Sequence, residues 1–379
     1  MSELRKKVLG EANRIVIKIG SRILVDSERG GVQSQYIQKL ALSVAKLMEA
    51  GKEIVIVTSG AVGTGMAILG YTQKPSVMAE KQACAAVGQI DLMYVYREMF
   101  RANGVAVGQI LLSADDFRDR ARYKNLQNTL QVMLKKKIVP IINENDSLAV
   151  AEIKVGDNDK LSSDVALFLD ADLLLVFTDE DGLFDDNPKK NPKARLLRFV
   201  PEINNEIMAL AGKPGETGSV VSTGGMRSKL EAIRAVVKSG CSAFLANGTK
   251  VMPDEIFFSD AIGTLFAGHS KKLNSRQRWL SFVSTPRGSV VVDAGGVEAL
   301  RKKHSSLLPV GVIMVRKHFD EGDLIEVLDE AGTRVARGIS QYDSGNLLLV
   351  LRKKTPEVRA VLGKKCPEEV VHKNDLVVF

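Results

Sequence analysis

Short, continuously apolar runs alternate with longer amphipathic segments through the first 265 or so residues of this 379-residue chain, and this alternation restricts the fold more than any other feature. Uninterrupted runs of β-branched and aliphatic residues are typical of strands buried on both faces. With helices between them, they predict an α/β fold, a mostly parallel sheet sandwiched by helices. We predict strands at Ile15–Ile19, Ile54–Val57, Val107–Leu112, Ile138–Ile142, Leu173–Phe177 and Ala243–Leu245.

The connecting segments have the period of amphipathic helices. Between the first two strands, Ser34 is a candidate N-cap for a helix whose apolar residues recur every three or four positions, and Gly51 follows its end. Further helices are predicted at Ala79–Ala102, Asn125–Lys136, Ser162–Leu169 and Arg227–Ser239. Together they would cover both faces of the sheet.

A change of composition marks a second domain. From His269 the sequence becomes polar and basic, and short strands with Gly and Asp turns follow. We predict an α/β catalytic domain at 1–268, a basic linker at 269–283 and a small β-rich barrel or sandwich at 284–379. The strands of this second domain are predicted at Ser289–Val292, Gly311–Val315, Leu324–Leu328 and Leu347–Leu351.

Charge and histidine are unevenly distributed along the chain. Residues 271–379 hold 19 Lys and Arg against 13 Asp and Glu, so they carry +6 of the net charge of +8. All four histidines, at positions 269, 304, 318 and 372, lie at or beyond residue 269. The predicted catalytic domain can therefore use neither a Ser-His-Asp triad nor a histidine-bound zinc ion.

The chain lacks features of exported or membrane proteins. Cys84, Cys241 and Cys366 are odd in number and form no Cys-x-x-Cys pair, so neither a disulfide framework nor a zinc knuckle is indicated. The apolar runs are far shorter than the roughly 18 residues of a membrane span. The charged start, Met1–Arg14, is unlike a signal peptide. We expect a soluble, cytoplasmic protein.

Ligands of open α/β sheets bind at the carboxyl ends of the strands, so the residues there are candidate site residues. Lys18 lies at the end of the first strand and Gly20 follows it, which suits an anion, although a strand lysine is more often a solvated edge residue. The second strand ends in the glycine-rich turn Thr58–Gly65, which suits a carboxylate or phosphate or is simply a tight turn. Its glycine spacing is not that of a dinucleotide fingerprint.

Two clusters of acids and amides follow the fourth strand. Asn143–Asp146 and Gly156–Asp159 can bind an ammonium, hold a hydrated magnesium ion or form Asx turns. Each cluster alone is at least as consistent with turn chemistry. Both lie within 17 residues of each other, in a chain whose strand ends also offer cationic groups. The combination favours a zwitterionic ligand.

The remaining candidates point to phosphoryl transfer. Thr178 and Asp179 end the fifth strand and could contact a nucleoside, with capping by Asp as the alternative. In Thr223–Lys229 a glycine pair opens a helix, and Lys229 opposes the helix dipole unless an anion binds there too. Lysines, glycine turns and acids without histidine favour transfer by positioning and charge neutralisation. The P-loop and protein-kinase motifs are absent, and an ionised carboxylate acceptor would need no base.

These motifs resemble the amino acid kinase family over residues 10–268, and in particular its glutamate-phosphorylating members. The resemblance lies in Ile17–Ser21, Val57–Ala61, Pro140–Asp146, Ala151–Asp159 and Thr223–Met226. Residues 284–360 resemble a PUA domain through Val292–Val297, Ser305–Val312 and Arg337–Ile339. Ser222, Asn187 and His318 depart from the family patterns, the first at the nucleotide loop and the last on a surface that could face RNA.

The resemblance implies phosphorylation of L-glutamate to L-glutamyl 5-phosphate by ATP with Mg²⁺, the first step of proline biosynthesis. By motif, Lys18 and Lys229 would contact the ATP phosphates, Asp159 would organise both lysines, and glutamate would be held by Ser59, Asp146 and Asn158. The nucleotide would contact Lys18, Thr178, Asp179, Thr223, Gly224, Gly225, Met226, Arg227, Ser228 and Lys229. Feedback inhibition by proline and a homo-oligomer, dimer or tetramer, are also implied.

The alternative hypothesis is an RNA-binding protein. In that case the PUA domain is the working part, and the kinase domain is regulatory or vestigial. The +6 charge of the tail motivates this hypothesis, but the field is modest and aromatic residues that could stack on bases are scarce there.

Overall fold

The computed structural model describes residues 3–26, 30–113, 116–117, 119–148, 158–188, 190–211, 225–259, 262–269, 280, 286–303 and 305–379. The chain divides into two compact units, Met1–Lys272 and Leu273–Phe379. Each unit buries an apolar cluster of its own, as an independent domain does. Most of the predicted linker, residues 270–279 and 281–283, lies outside the described residues.

The first unit contains one eight-stranded sheet. Its strands are β1 (Arg14–Ile19), β2 (Glu53–Val57), β3 (Val107–Leu112), β4 (Val139–Glu144), β5 (Leu173–Thr178), β6 (Phe199–Val200), β7 (Ser242–Asn247) and β8 (Thr264–Phe266). They lie in the order β3-β4-β2-β1-β5-β7-β8-β6. The first six in this order run parallel, and β8 is antiparallel to β7. The predicted mostly parallel sheet is confirmed, with the short strands β6 and β8 added at one edge.

Helices flank this sheet, as predicted. They are α1 (Glu3–Glu11), α2 (Ser21–Leu24), α3 (Ser34–Glu49), α4 (Ala61–Ile68), α5 (Met78–Arg101), α6 (Arg120–Lys135), α7 (Asn158–Phe168), α8 (Asn205–Ala209) and α9 (Met226–Lys238). No helix among the described residues is both long enough and apolar enough to cross a membrane.

The helix starts differ from the prediction. Helices α5 and α9 begin one residue earlier than predicted, and α7 begins at Asn158 rather than Ser162. Ser34 is the first residue of α3 rather than its cap, because its hydroxyl donates to the Val32 carbonyl instead of accepting from the helix. Helix α6 begins at Arg120 rather than Asn125, because the Asp119 side chain accepts a hydrogen bond from the Arg122 N–H and caps the helix earlier.

The register of the parallel strands determines where the candidate residues lie. Lys18 on β1 is paired with Val57 on β2 and Val176 on β5. Strands β5 and β7 are buried along their whole length, which explains the unbroken apolar runs within them, 173–177 and 243–246. Because parallel strands end at the same edge, the residues that follow β4, β2, β1 and β5 lie side by side.

The second unit is β-rich, as predicted. Its sheet has the order β10-β9-β11-β12-β13, with β9 (Gly288–Val292), β10 (Val312–Arg316), β11 (Leu324–Leu328), β12 (Arg334–Ile339) and β13 (Leu376–Val378). The α-helices among the described residues of this unit are α10 (Ala294–Lys303), α11 (Ser344–Leu349) and α12 (Thr355–Leu362).

The strand predicted at Leu347–Leu351 is wrong, because most of this segment belongs to α11. Asp343 caps the helix by accepting a hydrogen bond from the Asn346 N–H. Leu347 and Val350 are fully buried, and their spacing of three residues is helical rather than alternating.

Candidate active site

A buried carboxylate lies between two lysines at the carboxyl edge of the first unit's sheet. Lys18 Nζ is 2.5 Å from Asp159 Oδ1, and Lys229 Nζ is 3.4 Å from Oδ2 of the same carboxylate. Lys18, Lys229 and Asp159 expose only 5%, 8% and 3% of their surface. Two buried cations thus share one anion, so this charge cluster has a net positive charge that a bound anion would neutralise.

The electrostatics keep Asp159 ionised. Burial alone would raise the pKa of Asp159, but the ammonium groups of Lys18 and Lys229 lower it to about 2. The Ser228 hydroxyl also donates a hydrogen bond of 2.7 Å to Oδ2. Burial lowers the pKa of Lys229, Asp159 opposes that shift and Lys18 adds to it.

Two helices begin at this cluster. Asp159 lies in the first turn of α7, and Lys229 lies in the first turn of α9. From the sequence, Lys229 needed an anion to offset the helix dipole. The structure supplies one from the chain itself, because the Asp159 carboxylate contacts both Ser228 and Lys229 at the start of α9.

A chain of amide side chains runs from the end of β2 to α5. Asn158 Nδ2 donates to Ser59 Oγ at 2.8 Å and to Asn143 Oδ1 at 3.2 Å. Asn143 Nδ2 donates to Gln89 Oε1 at 2.8 Å. The Glu144 N–H also donates to Asn143 Oδ1, at 2.9 Å, and this backbone contact determines which way the buried Asn143 amide points.

The turn after β2 adds backbone donors to the same region. Gly60 has a φ of 104°, which glycine adopts without strain, and α4 begins at the next residue, Ala61. The leading N–H groups of α4 have no acceptors within the helix. Helix α5 crosses α4 so closely that a Cβ on Gly88 would lie 2.0 Å from the Ala61 carbonyl oxygen. This crossing therefore requires glycine and determines where α4 starts.

Asp146 lies in a cleft of about 260 Å³ beside this turn. The cleft is lined by Ala61, Ala85, Ala86, Gln89, Ile90, Gln109, Leu111, Glu144, Asn145, Asp146 and Ser147. Burial and the Glu144 carboxylate raise the pKa of Asp146 to about 7, whereas Lys74 acts in the opposite direction. Among the described residues, no group donates a hydrogen bond to Asp146 Oδ1. A cation bound in this cleft would favour the ionised form.

On the other side of β1, the end of β5 carries Thr178 and Asp179. Thr178 Oγ1 donates to Asp179 Oδ1 at 3.0 Å, and Arg22 forms an ion pair of 2.5 Å with Oδ2. Burial tends to raise the pKa of Asp179, but its contacts with Arg22 lower it overall. Asn247, at the end of β7, donates to the Asp179 carbonyl at 3.1 Å. Polar groups thus continue along this edge beyond the charge cluster.

The structure brings seven of the fourteen predicted site residues into one contact group. Lys18, Ser228 and Lys229 each contact Asp159, and the Gly225 carbonyl accepts a hydrogen bond of 2.9 Å from the Ser228 hydroxyl. Ser59 is bonded to Asn158, the neighbour of Asp159. Asp146, Thr178 and Asp179 lie at the same strand edge but outside this contact group, and so do two residues at the start of α9, Met226 and Arg227. Residues 149–157, 223 and 224 lie outside the described residues, and they include the predicted positions Thr223 and Gly224.

Arg227 differs from its neighbours. It is exposed and forms an ion pair of 3.2 Å with Glu231 one helical turn away, rather than with a residue of the charge cluster.

Sequence reasoning gave no role to three residues that the structure places in or beside the site. Asn143 was recognised only as part of a polar cluster, although an amide at the end of an apolar strand already indicates a buried group that needs hydrogen-bond partners. Arg22 lies after the first strand and pairs with Asp179. Gln89 lies within α5, where the only signal was the glycine before it.

Comparison with known proteins agrees with this architecture. The model of the Amino acid kinase family matches residues 13–247, and the model of the PUA domain matches residues 288–362. The first match covers the whole carboxyl edge described above.

Relatives of known name match over nearly the full length. Glutamate 5-kinase of Dictyoglomus thermophilum is 40% identical over 98% of this chain and 99% of its own. The enzymes of the same name from Citrifermentans bemidjiense and Moorella thermoacetica are 41% and 42% identical, over 99% and 98% of this chain and 100% and 97% of theirs. The chain therefore belongs to the amino acid kinase family and, within it, to the glutamate 5-kinases that carry a PUA domain.

Proposed function

We propose that this protein transfers the γ-phosphoryl group of ATP to the side-chain carboxylate of L-glutamate, giving ADP and L-glutamyl 5-phosphate. The observation that carries the proposal is the buried Lys18–Asp159–Lys229 charge cluster, which is net cationic and adjoins the amide chain through Asn158. Phosphoryl transfer needs such a cationic site for the moving group, and the amide chain offers polar contacts to an acceptor.

The strand order supports one orientation of glutamate. Strands β4, β2 and β1 are neighbours, about 4.8 Å apart in a sheet. Asp146 follows β4, Ser59 follows β2 and Lys18 ends β1, so the polar groups form a row. We place the α-ammonium at Asp146 Oδ1 and Asn158 Oδ1, two oxygens that have no donor among the described residues. The side-chain carboxylate then points toward Lys18.

The chemistry requires charge neutralisation rather than a base. A carboxyl with an ordinary pKa of about 4.3 is ionised at neutral pH, so its oxygen can attack the γ-phosphorus directly. The new O–P bond forms as the bond from phosphorus to the β–γ bridging oxygen breaks, and ADP leaves with that oxygen. Lys18 and Lys229 would stabilise the charge on the phosphoryl oxygens, while Asp159 positions both ammonium groups.

The nucleotide would lie on the β5 side of the charge cluster. Thr178, Asp179 and residues 223–229 are the groups we assign to it. The described residues include no group of three or more His, Cys, Asp or Glu side chains placed to hold a metal ion. Asp159 and Asp179 are both already ion-paired with basic residues. Magnesium would therefore arrive on the ATP phosphates, keep water ligands and neutralise charge there.

Regulation by proline follows from the same polar groups. Proline shares the α-carboxylate and the cationic nitrogen of glutamate, so it would compete at Asp146 and Ser59. Feedback inhibition at this site would suit the first step of proline biosynthesis. We also propose a homo-oligomer, because Ile90 and Tyr94 on α5 are 72% and 58% exposed and form apolar surface that a second copy could cover. A cytoplasmic location would suit a biosynthetic enzyme.

The test is to trap the acyl phosphate. With ATP, magnesium, glutamate and hydroxylamine, the wild-type protein should form γ-glutamyl hydroxamate. Lys229→Ala should lower kcat by about 1000-fold or more, since it removes a charge from the transferring group. Lys238→Ala, which removes an exposed lysine from the last turn of the same helix, is the matched control. A preference for aspartate, or equal activity of the two variants, would refute the proposal.

RNA binding by the second unit is an additional candidate function. The PUA match and the +6 charge of residues 271–379 favour it. The full-length protein should then retard RNA in a gel, and the shift should weaken steeply between about 50 and 200 mM salt. Absence of a shift at the lower salt concentration would remove this candidate.

A further inference from the structure

The amide chain leaves one hydrogen-bond donor unused. Because the Glu144 N–H donates to Asn143 Oδ1, it is the Nδ2 end of Asn143 that faces Gln89. Gln89 must therefore present Oε1 to Asn143, and its Nε2 is left over. Nε2 is buried and has no acceptor among the described residues. A buried amide NH₂ group without an acceptor is unfavourable, so this group is suited to receive one from a ligand.

The position of Gln89 indicates what that ligand group is. Gly88, the preceding residue, packs directly against Ala61, and both Gln89 and Ala61 line the Asp146 cleft. The leading N–H groups of α4 and Gln89 Nε2 are thus donors in need of an acceptor. Asp146 Oδ1 and Asn158 Oδ1 are acceptors without a donor among the described residues. A molecule that satisfies both sets carries a carboxylate beside an ammonium.

We infer that Gln89 is a specificity-determining residue whose Nε2 donates a hydrogen bond to the α-carboxylate of bound glutamate. This inference rests on the proposed function and adds a recognition contact to it. The α-carboxylate lies between Nε2 and the first N–H groups of α4. The terminal torsion of a glutamine side chain is broad, so the NH₂ group can turn toward the ligand while Oε1 keeps its bond to Asn143.

Asn143 gives this contact its selectivity. Its amide is held by the Glu144 N–H, so the Gln89 amide cannot reverse without losing its own bond to Asn143. The site therefore offers only a donor to the ligand at this position. An α-carboxamide in place of the α-carboxylate would direct its own N–H groups at a donor, and such mismatches in a built polar site lower kcat/KM by large factors.

Gln89→Glu is the most direct test, because it keeps the shape and the acceptor for Asn143 but replaces the donor by a carboxylate. We expect the KM for glutamate to rise about 100-fold while the KM for ATP stays within about threefold. The preference for glutamate over its α-amide, isoglutamine, should fall by at least about 30-fold.

Gln131→Glu is the matched control, because it makes the same substitution at an exposed position of α6 that does not line the cleft. It should leave both the KM for glutamate and the preference over isoglutamine within about threefold of the wild type. If Gln89→Glu does not fold, Gln89→Ala removes the donor without adding charge and should still raise the KM for glutamate about tenfold.

Two results would overturn the inference. One is a KM for glutamate that is unchanged in both Gln89 variants. The other is an equal loss with glutamate and isoglutamine, which would show that Gln89 only supports the structure. Failure of the wild-type protein to form any hydroxamate from glutamate is a different outcome, because it would refute the proposed function itself.

Discussion

Replacing Gly88 by alanine tests how strictly the crossing of α4 and α5 positions the substrate. The new Cβ would lie 2.0 Å from the Ala61 carbonyl oxygen and 2.3 Å from the Gly65 nitrogen. Ordinary van der Waals contact begins at 3.4 Å, so the helices would have to separate by 3.4 − 2.0, or 1.4 Å. Both obstructing atoms belong to the backbone, and no side-chain rotation can relieve the clash.

The size of the effect follows from this displacement. Overpacking of a well-packed contact costs about 1–3 kcal/mol, which for a domain of this size lowers Tm by about 2–12 °C. The same shift moves the first turn of α4, and a misplacement of about 1 Å can reduce a rate about 100-fold. We therefore expect a KM for glutamate that is higher by about 10–100-fold. The KM for ATP should change less, because the proposed nucleotide contacts lie across β1.

Thermal unfolding followed by circular dichroism and steady-state kinetics would measure both effects. Gly10→Ala is the control, because a Cβ on this exposed residue of α1 has nothing within 4 Å. That variant should be stabilised by up to about 1 kcal/mol and should keep its kinetics. If Gly88→Ala kept both the wild-type Tm and the glutamate KM within twofold, the close approach of the helices would not position the site.

Two further predictions concern ionisation. The pKa of Asp146 is raised to about 7, and the group must be ionised to hold an ammonium, so the KM for glutamate should fall as pH rises from 6 to 8. In Asp146→Asn the KM for glutamate should be high at both pH values. A wild-type KM that does not change with pH would contradict the proposed contact between Asp146 and the ammonium. The pKa of Asp159 is lowered from 3.8 to about 2, so its ionised form stabilises the fold above pH 3.8 and this contribution is lost as pH falls toward 2. Asp159→Asn should therefore lower Tm at pH 7 and have little effect near pH 2, and equal Tm values at pH 7 would refute the charge cluster's stabilising role.

Many residues at the carboxyl edge of the sheet could be predicted, because the strands of a parallel sheet can be recognised from the sequence. The run that became β5 is apolar from Leu173 to Phe177, and Lys18 alone interrupts the run Ile15–Ile19 of β1, which identifies strands buried on both faces. Once the strands are located, topology places Lys18, Ser59 and Thr178 at one edge, although they are far apart in the chain. No side-chain geometry is needed for this step.

The contacts that could not be predicted join residues that lie far apart in the sequence. Lys229 was recognised as unfavourable for its helix, but its anion, Asp159, lies 70 residues earlier and is brought there by packing. Gln89 lies within a helix, and the local sequence pattern there does not distinguish a polar residue of a binding site from a solvated surface residue. The segment Leu347–Leu351 is apolar at both helical and strand spacings, and the cap at Asp343 decides in favour of the helix.

Asn158 and Asp159 are adjacent in the chain, and their fixed spacing limits the length of the substrate that fits the site. One residue is bonded to Ser59 among the groups proposed to hold the amino acid, and the next is bonded to Lys18 where the phosphoryl group would move. Their Cα atoms are joined by a single trans peptide, about 3.8 Å long, which no loop movement can stretch. The distance between the groups proposed to bind the two ends of the substrate is thus fixed by one peptide unit. Aspartate, shorter by one methylene, would leave its side-chain carboxylate short of the lysines when its α-groups are bound.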